Sequence, residues 1–122
     1  MSIESYKELI VWQKSVELVI IVYRLTDKFP KGELYGITSQ IRRAAVSIPS
    51  NIAEGYKRRH LGEYIQFLRI SDASSAELET QLIISQKLGY GLDKDFEKVN
   101  SLLVEVEKML CGLIGKLKGK QS

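Results

Sequence analysis

Arg42, Arg43, Ser47, Asn51 and Glu54 recur at helical spacing through residues 42–55, a stretch with a proline at position 49. Guanidinium, hydroxyl, amide and carboxylate groups kept in line along one helix can hold an anion. They can also interlock with a neighbouring helix. Further on, Arg69, Ser71, Ser74, Glu77 and Gln81 offer a complementary set. Buried polar groups must pair, because an unpaired charge in the interior costs several kcal/mol. The favoured reading is a hydrogen-bonded layer built from Ser47, Asn51, Glu54, Ser74, Glu77 and Gln81 that fixes helix register or subunit contacts. A ligand- or nucleic-acid-binding surface is the other. The second place where chemistry gathers is Lys57-Arg58-Arg59-His60, with Tyr56 and Tyr64 on either side. Cations meet phosphates, and aromatic rings stack on bases. Arg42, Arg43, Lys57, Arg58 and Arg59 are therefore the candidate nucleic-acid contacts, although a charge run in a turn is also the ordinary solvated surface.

Enzyme chemistry finds little to work with. His60 is the only histidine and Cys111 the only cysteine, 51 positions apart, which matches no zinc spacing. Glu77 and Glu79 point to different faces of a helix, and no Glu-x-x-His pair suggests a di-iron site. No glycine-rich loop joins a strand to a helix, so phosphate-loop and dinucleotide fingerprints are missing. Cys111, beside Met109 and Leu110, reads as a small packing residue. No catalytic residue, metal or cofactor is expected.

The surrounding composition is that of one globular domain. The chain has 122 residues, 44% hydrophobic and 27% charged, with net charge +3. Residues 1–60 hold ten Lys/Arg against six Asp/Glu, so the basic excess lies in the first half. That balance permits an acidic or nucleic-acid partner without demanding one. Met1 to Glu8 is polar and does not resemble a signal peptide. The longest apolar run, Leu18 to Tyr23, falls far short of the roughly 20 residues that cross a bilayer. A single cysteine excludes an intrachain disulfide. A soluble, cytoplasmic protein without a membrane partner is expected.

Four helices must position these groups, over about 9–27, 35–55, 61–88 and 93–118. In the first, Leu9, Trp12, Val16, Val19 and Tyr23 form a stripe, and Leu18, Ile21, Val22 and Leu25 widen it. Its β-branched content also allows a strand, but length and periodicity favour a helix. Leu18–Tyr23 is apolar all round, so its far side is expected to face another copy of the chain. Ile37, Ile41, Ala44, Ala45, Ile48 and Ile52 give the second helix its core stripe. Pro49 cannot donate to the Ala45 carbonyl and should kink this helix. The alternative is a stop at Ile48 and a restart at Pro49; the continuous apolar phase favours one bent helix. Gly89 should cap the third helix in a left-handed conformation. Asp93 is the expected N-cap of the fourth, whose seam runs Leu92, Phe96, Val99, Leu103, Val106, Leu110, Leu113, Leu117. The fold class is an all-α, antiparallel up-and-down four-helix bundle.

These segments resemble a known family, the small four-helix-bundle proteins encoded in intervening sequences of bacterial 23S rRNA genes. The resemblance rests on residues 9–14 (LIVWQK), 40–45 (QIRRAA), 47–55 (SIPSNIAEG), 63–68 (EYIQFL), 74–82 (SSAELETQL) and 88–90 (LGY). It implies a homopentamer and brings no catalytic residues. A related branch, the accessory proteins of diversity-generating retroelements, implies work alongside a reverse transcriptase and RNA or DNA. The expected function is thus a non-enzymatic homo-oligomeric scaffold that binds nucleic acid, or a protein bound to it, through basic surface. A protein-binding assembly factor without nucleic-acid affinity is the alternative.

Overall fold

The computed structural model describes residues 5–121. Its helices are α1 (Ile10–Thr26), α2 (Ile37–Tyr56), α3 (Leu61–Lys87) and α4 (Asp93–Gly119), with short 3-10 turns at Tyr6–Glu8 and Lys31–Glu33. No strand occurs among the described residues. Each helix packs on its sequence neighbour, and α1 also packs on α4, which closes the square of an up-and-down bundle. The most extensive packing is between α2 and α3.

The core is aliphatic and continuous. Leu18, Val22 and Leu25 of α1 meet Ile41, Ala45, Ile48 and Ile52 of α2, Leu68, Leu78 and Leu82 of α3, and Phe96, Leu103, Val106 and Leu110 of α4. The stripe on α1 is rotated from the one the sequence predicts. Val11, Ser15, Leu18, Val22 and Leu25 point inward, Leu9, Trp12, Val16 and Val19 are half-buried flanks, and Tyr23 is exposed. Ser15 is the reason. It is fully buried and donates to its own helix at the Trp12 carbonyl, 2.8 Å away. A hydroxyl satisfied in this way packs like a small apolar residue, yet interrupts any stripe read from hydrophobicity.

Helix α2 runs unbroken through Pro49, so the restart at that residue does not occur. Close by, the buried Ser71 hydroxyl of α3 donates to the Ile48 carbonyl at 2.9 Å. Gly55 lets the two helices converge at the end of α2. A Cβ there would stand 2.7 Å from Phe67 Cβ and 3.1 Å from the Tyr64 carbonyl.

Helix α3 ends in a Schellman motif. Gly89 takes φ +80°, its N–H donates to Gln86, and the Tyr90 N–H donates to Ser85. Asp93 is not the N-cap of α4. It is the first helical residue and Leu92 holds the cap position, so Asp93 and Asp95 act on the helix dipole from the first turn. Lys28 joins Asp95 at 2.7 Å and ties the first interhelical loop to α4; that hydrogen bond holds the Asp95 carboxyl below its ordinary range. Cys111 is exposed rather than packed, because the seam Val106–Leu110–Leu113–Leu117 turns it outward.

Between α3 and α4, Glu107 faces Ser75, Glu79 and Asp72. The Ser75 hydroxyl lies 3.4 Å from its carboxylate. Burial first, then the Glu79 carboxylate, push the Glu107 carboxyl above its ordinary range, with Asp72 adding to the push and Ser75 opposing it. A carboxyl raised in the folded state binds its proton more tightly there than in the unfolded chain. Its contribution is fully present below the unfolded pKa and is lost as pH rises through the folded one. Glu107→Gln should therefore stabilise the protein at pH 7, by roughly 0.5 kcal/mol as for relief of a like-charge helix pair. The gain should vanish below about pH 4. Thermal melts of both proteins across that range check it.

Candidate nucleic-acid interface

The five candidate cations do not form one patch. Arg42 and Arg43 lie in the first half of α2, whereas Lys57, Arg58 and Arg59 follow its end, roughly 20 Å away along the axis.

Arg42 is already engaged. Its Nε donates to Thr26 Oγ1 at 2.9 Å, its Nη2 pairs with Asp27 Oδ1 at 3.1 Å, and its guanidinium lies 4.5 Å from the centre of the Tyr23 ring. Thr26 in turn donates to the Val22 carbonyl. Arg42 thus fastens α2 to the end of α1. Arg43, the next residue round the helix, is exposed and makes no hydrogen bond or ion pair among the described residues.

The end of α2 is different. Lys57 caps the helix, with its N–H on the Ala53 carbonyl. Arg58 lies over the ring of Phe67 of α3, 4.6 Å from its centre, a cation–π contact that leaves the residue exposed. Arg59 and His60 are exposed, and His60 occupies the N-cap of α3 without capping it through its side chain. Tyr56 and Tyr64 pack edge to face at 6.0 Å. Burial, and then Tyr56, raise the Tyr64 phenol above its usual range.

One part of this surface is invisible in the local sequence. The turn before α1 folds against the end of α2 and brings Tyr6 and Lys7 beside Tyr56 and Lys57. The Ser5 hydroxyl accepts the Lys7 N–H at 3.1 Å, and Gln13 Nε2 donates to the Lys7 carbonyl at 2.8 Å, so Lys7 is placed by hydrogen bonds at both of its backbone groups. Tyr6 packs edge-on against Trp12 at 5.3 Å. The groove between the two segments has a volume of about 410 Å³, and no carboxylate among the described residues lines it.

The polar layer forms in part. Ser47 and Ser74 share a hydrogen bond of 2.8 Å across the α2–α3 seam, and Asn51 donates to the Ser47 carbonyl and hydroxyl at 2.8 and 2.9 Å. Gln81 is buried and donates to Glu77 at 3.3 Å, while its Oε1 has no partner among the described residues. Glu54 is exposed and makes no hydrogen bond or ion pair among the described residues. The layer therefore narrows to Ser47, Asn51 and Ser74, with Ser71 beside it. No group of acidic, histidine or cysteine side chains among the described residues can hold a metal, and no described helix is long and apolar enough to cross a membrane.

The model of the 23S rRNA-intervening sequence proteins matches residues 7–112. No curated protein matches the chain. Among solved structures, the fold is similar to a protein of unknown function from the S23 ribosomal protein family of Bacteroides thetaiotaomicron. The two are 24% identical with a TM-score of 0.77, over 86% of this chain and 98% of that one.

Proposed function

Since the chain belongs to the 23S rRNA-intervening sequence protein family, we propose that it is a non-enzymatic homo-oligomeric scaffold that binds nucleic acid, or a protein carried on it, through the basic end of its bundle. The observation behind this reading is a groove lined by Tyr6, Lys7, Tyr56 and Lys57, with no carboxylate among the described residues lining it, while Arg58 and Arg59 follow directly in the chain and are exposed. Cations there would hold phosphates, and the rings give bases a surface on which to stack. Self-association draws support from α1. Ile20 is 48% exposed, on a helix whose other face is already in the core. The family resemblance favours five copies, the single cysteine fits a cytoplasmic setting, and a ring would repeat the basic end in each copy so that modest patches act together. A reverse transcriptase is one protein that such a scaffold would hold against its nucleic acid. Charge reversal at Arg58 and Arg59 tests the reading: binding to labelled RNA at low salt should weaken steeply, and unchanged binding refutes it.

A second reading, a protein-binding assembly factor, has its own observation. Ile83, Ile84 and Leu88 at the end of α3, with Leu92 beyond, are all exposed, and apolar clusters of this kind mark protein contacts.

A further inference from the structure

A second groove, of about 610 Å³, lies between the end of α1, the following loop and the first half of α2. Its volume falls within the range of small-ligand sites. Tyr23, Tyr35, Ser39, Arg42, Arg43 and Val46 supply its chemistry, and no carboxylate among the described residues lines it. The groove between α1 and α4 offers a contrast, since Lys14, Lys94 and Lys98 there alternate with Glu17, Glu97 and Glu105 and its charges neutralise one another.

Tyr35 is the unusual residue. It is 94% exposed, the most open of the large hydrophobic side chains among the described residues. Yet its turn is ordered by hydrogen bonds from Leu34 N–H to Lys31 and from Gly36 N–H to Glu33. The ring is thus held out on a firm support with both faces open. Opposite it, the Tyr23 ring is covered by Arg42, which Thr26 and Asp27 hold in place. Arg43 adds a guanidinium without a hydrogen-bond or ion-pair partner among the described residues. An open aromatic face on an ordered turn, a cation uncommitted among the described residues and the Ser39 hydroxyl at one groove match an unpaired nucleobase with its phosphate. A duplex keeps its base faces stacked inside and cannot offer one to Tyr35.

We propose that this groove takes one unpaired nucleotide, its base against Tyr35 and its phosphate on Arg43, so that the protein prefers single-stranded over duplex nucleic acid. The inference rests on the nucleic-acid reading above and adds strand selectivity to it. The test measures the full chain at fixed salt by fluorescence anisotropy, against a labelled 12-nucleotide oligouridine and a labelled duplex of equal length. The wild-type protein should bind the single strand more tightly. In Tyr35→Ala the ratio of single-strand to duplex affinity should fall about tenfold, the size of one lost base stack, and Tyr35→Trp should restore it. A ratio unmoved by Tyr35→Ala or Arg43→Gln overturns the groove, and the basic-end reading stands if reversal of Arg58 and Arg59 still weakens both probes. If neither probe binds, both readings fall. If Tyr35→Ala changes the mass of the assembly instead of the ratio, the groove is a contact between copies and the inference is wrong.

Discussion

Replacing Arg58 and Arg59 together by glutamate should lower affinity for RNA roughly 100-fold at low salt and reduce the slope of log K against log salt by about two. The size follows from two phosphate contacts turned into two repulsions. The pair is also informative residue by residue. Arg58 lies on Phe67, so its reversal removes a cation–π contact of about 0.5–1 kcal/mol and should cost some stability. Arg59 is exposed and makes no such contact among the described residues. Arg59→Glu alone should weaken RNA binding about tenfold while leaving the melting temperature in place. In an assembly the loss multiplies over the copies that engage one strand.

The largest effect on stability should come from Gly55. A side chain there meets Phe67 Cβ, Tyr64 Cδ1 and the Tyr64 carbonyl, and two of those three atoms belong to or adjoin the backbone of α3. They cannot rotate away, so the helices must separate where Ser71 and Ser74 bridge them to Ile48 and Ser47. Gly55→Val should cost about 3 kcal/mol, the upper end of overpacking penalties, which lowers the melting temperature by on the order of 10 °C. Gly55→Ala should cost less, because the helix propensity of alanine returns about 1 kcal/mol. Calorimetry of the two variants checks both the order and the size.

The bundle itself is legible in the sequence because α2 and α4 keep a clean apolar phase. Ile41, Ala45, Ile48 and Ile52, like Phe96, Val99, Leu103 and Val106, are buried as their spacing requires. The Gly89 stop is legible too, since a left-handed cap favours glycine. Helix α1 is harder, for its apolar residues surround it and Ser15 hides the true core stripe. The exposure of Cys111 follows from the seam of α4 but not from its greasy neighbours. At the candidate interface, the run at 57–59 announces itself, whereas Lys7 joins it only because a turn some fifty residues earlier folds back onto the end of α2. Arg42 and Arg43 look equivalent in sequence. Asp27 and Thr26, which engage the first and leave the second free, lie on another helix end and carry no local mark.

Sedimentation velocity of the full chain mixed with a fluorescent RNA tests the central claim most directly. The account predicts a protein peak at a multiple of the 13.9 kDa chain mass, fivefold for a pentamer, with the RNA travelling in the same boundary at low salt and leaving it as salt rises. A peak at the mass of one chain, with the RNA sedimenting freely at every salt concentration, would contradict it.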